Sequence, residues 1–242
     1  MTVAAVITAA GSGTRLGAHS PDGTAPKVPV PKALVPLEGR ALVAWAASRI
    51  ADVAERIVVT APPLAVDAVR SALVEAGVDA LVVPGGDTRQ ASVAAGLRAL
   101  MLDPDDIVLI HDAARAFQPT EVMAATIDAV HAGADGAIPV LPVVDTLIGA
   151  PGPDGVIGDP VDREGLRAVQ TPQTFRARVA LDAHRVAEAH GTPPATDDAT
   201  LARALGHRIV AVDGHEWGFK VTRPSDLPLA RHIAQSLSGG RA

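Results

Sequence analysis

The sequence predicts an α/β protein: a single open, doubly wound, Rossmann-like mixed sheet with a projecting β-arm. Three observations carry this. Short β-branched or aliphatic runs alternate with longer Ala-rich stretches up to residue 141. The runs are continuously apolar, as buried parallel strands joined by crossover helices are. From Pro142 to Phe175, prolines and glycines crowd the chain and the alternation stops. In such a fold, ligands are expected at the carboxyl ends of the strands.

The elements follow in order. Strands are expected at 3–8, 56–60, 80–83, 107–110 and 136–141, with helices at 41–50, 64–76, 90–101 and 121–131 between them. Pro142, Pro151, Pro153, Pro160 and Pro172, interleaved with Gly149, Gly152, Gly155, Gly158 and Gly165, leave no room for a helix over 142–175. A structureless loop of that length is uncommon in a compact domain, so the segment reads as an extended β-arm, with strands at 144–147 and 166–170. Helix and strand patterns resume at 177–190, 198–205, 209–212 and 225–236, and the tail 238–242 is expected to be mobile. The whole chain, 1–242, reads as one domain.

Composition narrows the function classes. With 242 residues, 48% hydrophobic and 20% charged, the chain lies outside the disordered class. Folding at this size buries roughly 70–75% of the unfolded surface, so no staples are needed. Two Trp, three Phe and no Tyr leave the core to Ala, Val, Leu and Ile. The absence of Cys excludes disulfides, a thiolate nucleophile and Cys-based metal sites, and fits a reducing cytoplasm. A net charge of −6 argues against a nucleic-acid partner. No apolar run approaches the ~18 residues of a membrane span. The apolar N-terminus has no preceding positive charge, so it reads as a first strand and not a signal peptide. Neither a His-Glu-x-x-His pattern nor a Ser-centred nucleophile elbow is present.

The first strand runs into Ala9-Ala10-Gly11-Ser12-Gly13-Thr14-Arg15-Leu16-Gly17. Small residues let backbone N–H groups approach an anion. A dinucleotide fingerprint would place Gly where Leu16 stands, and a P-loop would need Gly-Lys-Ser or Gly-Lys-Thr. A nucleotidyltransferase loop, with Arg15 and a downstream Lys gripping a triphosphate, accommodates both departures. The cationic, proline-studded continuation through Pro26-Lys27-Val28-Pro29-Val30-Pro31-Lys32-Ala33-Leu34 favours it. On glycine spacing alone, a turn with a solvated linker fits equally well. The chain's lysines are Lys27, Lys32 and Lys220. Two of them fall in this loop, although a general preference for Arg over Lys accounts for the scarcity as well.

Further motifs add to this. Gly85-Gly86-Asp87-Thr88-Arg89-Gln90-Ala91-Ser92-Val93 follows the third strand, and His111-Asp112-Ala113-Ala114-Arg115 follows the fourth. Asp145-Thr146 opens the arm; Asp162-Arg163-Glu164-Gly165-Leu166 and Gln170-Thr171-Pro172-Gln173 lie near its end. Thr196-Asp197-Asp198-Ala199 and Phe219-Lys220-Val221-Thr222 come later. In this order, and over nearly the whole chain, the set resembles the 2-C-methyl-D-erythritol 4-phosphate cytidylyltransferase family of the non-mevalonate isoprenoid pathway.

The resemblance implies a cytoplasmic, homodimeric enzyme with a nucleotidyltransferase-type sheet. Its substrates would be CTP and methylerythritol phosphate, its products 4-diphosphocytidyl-methylerythritol and pyrophosphate, and its cofactor Mg²⁺. It also implies residue roles. Arg15 and Lys32 would stabilise the reacting α-phosphate and the leaving pyrophosphate, with Lys27 as the alternative loop lysine. Lys220 would approach the phosphates, or be a solvated strand-end Lys. Ala9, Ala10, Gly11 and Gly13 would offer backbone contacts to CTP, and Gly86, Asp87 and Ser92 the cytosine pocket. Asp112, Ala113 and Arg115 would face the ribose and the methylerythritol phosphate; Asp112 also reads as a helix N-cap or a Mg²⁺ contact. Thr196 would meet a substrate hydroxyl or cap a helix. Thr146, Arg163 and Thr171 would reach the methylerythritol phosphate site of the opposite subunit by arm exchange. Leu147-Ile148, where some relatives carry a Lys, removes a cation from that spot. Another polyol-phosphate nucleotidyltransferase, such as one using ribitol phosphate, and a silent nucleotide-binding regulator are the competing readings. A pure binder has no need of transition-state cations such as Arg15 and Lys32.

Overall fold

Continuous apolar runs become strands covered on both faces, and their alternate residues feed two separate cores. The computed structural model describes residues 1–11, 31–190 and 195–239. Gly13, Arg15, Lys27 and residues 240–242 of the tail lie outside the described residues.

The chain begins with β1 (Val3–Thr8), and a 3-10 turn at Lys32–Leu34 leads to the short pair β2 (Pro36–Leu37) and β3 (Arg40–Ala41). Then come α1 (Leu42–Ala51), β4 (Arg56–Ala61), α2 (Val66–Glu75), β5 (Leu81–Pro84), α3 (Arg89–Leu100), β6 (Ile107–Asp112), α4 (Thr120–His131) and β7 (Gly136–Pro142). The short strands β8 (Leu147–Ile148) and β9 (Pro160–Val161) are followed by β10 (Arg167–Val169), β11 (Gln173–Arg176), α5 (Ala177–Ala189), α6 (Asp198–Ala204), β12 (Ile209–Asp213) and α7 (Leu227–Gly239).

Strands β5, β4, β1 and β6 are parallel neighbours. The chain passes outward from β1 to β5, then returns to place β6 on the other side of β1. That reversal opens a crevice at the carboxyl ends of β1 and β6. Beyond β6, β11 runs antiparallel between β6 and β7, and β12 lies parallel to β7. Ala5, Ile7, Val59 and Leu109 face α1, α2 and α4, whereas Ala4, Val6, Val108 and Ile110 face α3, α5 and α6. A third cluster, with Leu42, Trp45, Phe117 and Ile233, seals α7 onto the start of α1. No described helix is long and apolar enough to cross a membrane.

The expected alternation of strands and helices up to residue 142 is present, displaced by a few residues at its ends. The 142–175 segment is where the structure corrects the sequence. The strand expected at 144–147 is instead β8, paired with β9. The strand expected at 166–170 exists as β10, but it pairs antiparallel with the end of β7 and so extends the main sheet. Residues 173–175 belong to β11, where Gln173, Thr174 and Phe175 are buried on both faces of the sheet. Pro172 hid that strand in the sequence, because it stands just before it, at a position free of ladder hydrogen bonds. Apart from the 170–172 connection, 143–166 remains outside the main sheet, and it exposes Val144, Ile148, Val156, Ile157 and Val161.

The close approach of α3 to β1 and β4 depends on Gly96. A Cβ there would lie 2.5 Å from Val6 Cγ1 and 3.3 Å from Thr60 Cγ2. Gly96→Ala is therefore expected to destabilise the protein by about 1–3 kcal/mol through overpacking. Urea unfolding measures this, and an unchanged midpoint would show that α3 has room to move.

Candidate active site

Residues at the carboxyl ends of β1, β4, β5 and β6 close a crevice of about 470 Å³. Local backbone bonds build its floor: Ala9 N–H donates to Thr60 O (2.8 Å), Gly85 N–H to Ala61 O (2.8 Å) and Ala113 N–H to Thr8 O (3.1 Å). On one wall the 85–88 loop is held by the start of α3. Thr88 Oγ1 accepts from Ala91 N–H at 3.0 Å, and Ser92 Oγ accepts from Gly86 N–H at 3.2 Å while donating toward Thr88 O at 2.9 Å. Gly85 permits this fold-over, since a Cβ there would lie 2.4 Å from Ala10 Cβ.

The β1–β6 register puts Thr8 beside Asp112. Asp112 Oδ1 accepts from Thr8 Oγ1 (3.2 Å) and from Arg89 Nε (3.1 Å), and Oδ2 accepts from Lys220 Nζ (2.7 Å). Arg89 also donates through Nη1 to Asp198 Oδ2 at 2.8 Å, and Asp198 Oδ1 meets His184 Nε2 at 3.0 Å. Burial pushes the Asp112 carboxyl up, but the Arg89 and Lys220 charges outweigh burial and hold it well below the usual carboxylate range. Asp198 follows the same pattern, with Arg89 overcoming its burial. Burial lowers Arg89, yet the two carboxylates more than compensate and raise it.

Lys220 arrives on a loop that is pinned at several points. Gln170 Nε2 donates to His215 O (2.9 Å), and Gln170 Oε1 accepts from His215 N–H (3.2 Å). Val221 N–H donates to Ala114 O at 2.9 Å. Trp217, on the 3-10 turn Glu216–Gly218, stacks edge-on against His215 at 5.7 Å.

Of the residues expected from the sequence, Ala9, Ala10, Gly11, Lys32, Gly86, Asp87, Ser92, Asp112, Ala113 and Lys220 line this one crevice. Asp112 is the last residue of β6 and not a helix cap, since α4 begins only at Thr120. Lys220 is bonded to Asp112 and is not merely solvated. Five residues fall elsewhere. Thr146 and Arg163 lie on the exposed 143–166 segment, where Arg163 Nη1 donates to Val144 O. Thr196 is exposed beside α6, whose cap is Asp197: its Oδ1 accepts from Thr200 N–H at 2.9 Å. Arg115 does not line the crevice but braces Gly218 O (2.7 Å) and Val169 O (3.1 Å), with its charge felt at Asp112.

Thr171 is the clearest correction. It is buried beneath the crevice and has no place on an exposed arm, because β10 and β11 carry it into the sheet. Its Oγ1 accepts from Asp112 N–H at 3.1 Å and donates to His111 Nδ1 at 3.0 Å. His111 Nε2 lies 3.2 Å from Arg115 O, which can only accept. The carbonyl therefore assigns the proton to Nε2, leaving Nδ1 to accept from Thr171. The sequence places Arg89 inside the Gly-Gly-Asp motif without pointing to a role for it, and Thr8 carries no motif at all. Each stands just past or at the carboxyl end of a parallel strand, Thr8 ending β1 and Arg89 opening the helix after β5, which is the one positional signal they carry.

The chain is similar to known proteins over nearly its whole length. The family model described as 2-C-methyl-D-erythritol 4-phosphate cytidylyltransferase matches residues 3–236. The protein of that name from Streptomyces avermitilis is 44% identical, over 95% of this chain and 90% of the relative. The one from Deinococcus radiodurans is also 44% identical, over 98% and 91%. The crystal structure of the Thermus thermophilus protein of that name superposes with a TM-score of 0.77 at 37% identity, covering 97% of this chain and 100% of that one.

His111 supplies a test of the buried chain beneath Asp112. Burial lowers its imidazolium to about 4, against an ordinary value near 6.5. A depressed folded value means that the neutral ring's stability is fully present above pH 6.5 and is lost as pH falls toward 4. Between about pH 7.5 and about pH 5 the loss is expected to be about 2 kcal/mol. Urea midpoints at the two pH values measure it. His111→Gln, though less stable at the higher pH, is expected to show a flatter dependence; parallel curves would assign the effect to another group.

Proposed function

The chain belongs to the 2-C-methyl-D-erythritol 4-phosphate cytidylyltransferase family, and from that premise we propose how its crevice carries out the transfer. The enzyme is a nucleotidyltransferase of isoprenoid biosynthesis. In the reaction, a 4-phosphate oxygen of methylerythritol phosphate attacks the α-phosphorus of CTP. The bond from that phosphorus to the bridging oxygen breaks, and pyrophosphate leaves with the electron pair. The attacking phosphate is already ionised, so the protein's task is positioning and charge stabilisation rather than proton removal.

One observation carries the reading: Gly11, Lys32, Asp112 and Lys220 converge on a single crevice at the β1–β6 switch point. The base of CTP is assigned to Gly86, Asp87 and Ser92, and the ribose to Asp112 and Ala113. The triphosphate is assigned to the backbone of Ala9, Ala10, Gly11 and Gly13, with Arg15, Lys32 and Lys220 as cations. A preorganised donor of this kind is worth roughly 3–4 kcal/mol in the transition state. Mg²⁺ suits the donor chemistry, because it takes hard oxygen ligands from one or two carboxylates plus substrate phosphates. Asp112 places such a carboxylate at the crevice wall, and the Oδ2 that Lys220 now occupies would hold the ion once Lys220 turns to the phosphates; the ion would neutralise phosphate charge.

The 143–166 segment is assigned to a homodimer with arm exchange, in which Thr146 and Arg163 face the partner's acceptor phosphate. Its exposed Val144, Ile148, Val156, Ile157 and Val161 support this, since so many large apolar side chains left to solvent in one short segment favour burial against a partner. Arg163 suits a phosphate through its bidentate fork.

Incubation with CTP and methylerythritol phosphate is expected to release pyrophosphate and form the diphosphocytidyl product. Preference for ribitol phosphate would overturn the acceptor assignment. Lys32→Ala is expected to lower kcat by about 10²–10³ with a much smaller change in CTP binding; equal losses would make Lys32 a binding residue alone. Mixing Lys32→Ala with Arg163→Ala subunits is expected to restore roughly a quarter of wild-type activity, one intact site in each heterodimer. No recovery would place both residues in a site within one chain.

A further inference from the structure

Arg89 opens α3 and lines the crevice, but the transfer as assigned gives it no task. Charges alternate along one line: Lys220, Asp112, Arg89, Asp198. The side chain of Lys220 is 41% exposed, Arg89 24%, Asp112 9% and Asp198 3%. Of these four, Lys220 is the one best able to swing, by its exposure and its long aliphatic stem, and it stands at the crevice end.

That order has a consequence for a polyphosphate ligand. Lys220 Nζ lies 2.7 Å from Asp112 Oδ2, so it is engaged before any substrate arrives. Were Lys220 the sole cation on Asp112, moving it to a phosphate would strand a buried carboxylate, which is costly. Arg89 changes this balance. Its Nε bonds the other oxygen, Oδ1, at 3.1 Å, and the Thr8 hydroxyl reaches the same oxygen at 3.2 Å. Asp112 thus stays paired when Oδ2 is vacated. The second fork of Arg89 is held by Asp198, which His184 steadies from behind at 3.0 Å. Arg89 is fixed in place at its far end and shares its charge between two carboxylates.

We propose that Arg89 is a positioning residue whose bond to Asp112 releases Lys220 to the polyphosphate of the substrate. The proposal rests on the transfer reaction assigned above. Arg89 acts through Asp112 and Lys220, so its removal should be felt as capture of Lys220 by Asp112, and removing Asp112 should relieve that capture.

Three full-length variants test it, with inorganic pyrophosphate as the probe, metal-free, by titration calorimetry. Asp198→Asn alone leaves Arg89 on Asp112 and is expected to bind pyrophosphate within about twofold of the parent, the range of a substitution outside the site. Arg89→Met/Asp198→Asn removes a cation and an anion together, so no charge is stranded beside α6. It is expected to bind pyrophosphate at least about tenfold more weakly than Asp198→Asn and to raise KM for CTP, with a similar melting temperature. Adding Asp112→Asn to that pair is expected to return pyrophosphate affinity toward the parent, a recovery that a purely structural role for Arg89 would not produce. The idea is overturned if the double variant binds like Asp198→Asn, or if the triple variant shows no recovery. Product formation by the parent enzyme is scored separately. If the parent makes none, the transfer reading fails, while the binding comparison still decides what Arg89 does.

Discussion

The pairing of the Asp112 carboxylate is the constraint around which the crevice is organised. A strand end at a switch point is a place where a ligand can reach the backbone, and it is also where a carboxylate is stripped of water. Left alone, such a group would protonate. Here Arg89 and Lys220 keep it charged, and each comes from a different part of the fold. Arg89 can reach it because α3 starts directly after the glycine loop that folds over Ala10. Lys220 can reach it because the side chain of Gln170 and the carbonyl of Ala114 fix the loop on which it rides. The backbone of Asp112 is fixed from below by Thr171 and, through it, by His111. Charge, loop position and strand packing are thus one problem with one solution.

Much of the fold could be read in the sequence because its central strands are simple. β1, β4 and β6 are largely aliphatic runs, and the helices between them are rich in Ala. The glycine turn after β1 and the Gly-Gly-Asp run after β5 fall at strand ends, so their pairing in one crevice follows from topology alone. Local pattern could not disclose β11. It is four residues long, begins after a proline, and carries Gln and Thr where an inner strand would be expected to be apolar. Those polar groups are tolerated because each has a partner. Thr174 meets Thr126 at 2.7 Å, and the Gln173 amide caps the start of α6.

The candidate site was legible to a similar extent, and its long-range contacts were hidden for a similar reason. Residues adjoining a motif, such as Asp87, Asp112 and Ser92, stand where the motif puts them. Thr171 and Arg115 carry internal contacts that their motifs do not disclose: one supports Asp112, and the other braces two carbonyls of neighbouring segments. The role proposed for Arg89 stays hidden in the sequence because its partners, Asp112 and Asp198, lie 23 and 109 positions away. Long-range ion pairs of this sort leave no periodic trace.

The scarcity of aromatic residues gives the protein an intrinsic optical probe. With two tryptophans and no tyrosine, its emission on excitation at the red edge of the indole band comes from two side chains. Trp45 is sealed between α1 and α7, its Nε1 bonded to Leu37 O, and so serves as a quiet background. Trp217 is 38% exposed, shortly before Lys220 on the same pinned loop, with an imidazole at its edge. A change in its fluorescence on adding nucleotide thus reports on the loop that delivers Lys220, without any label.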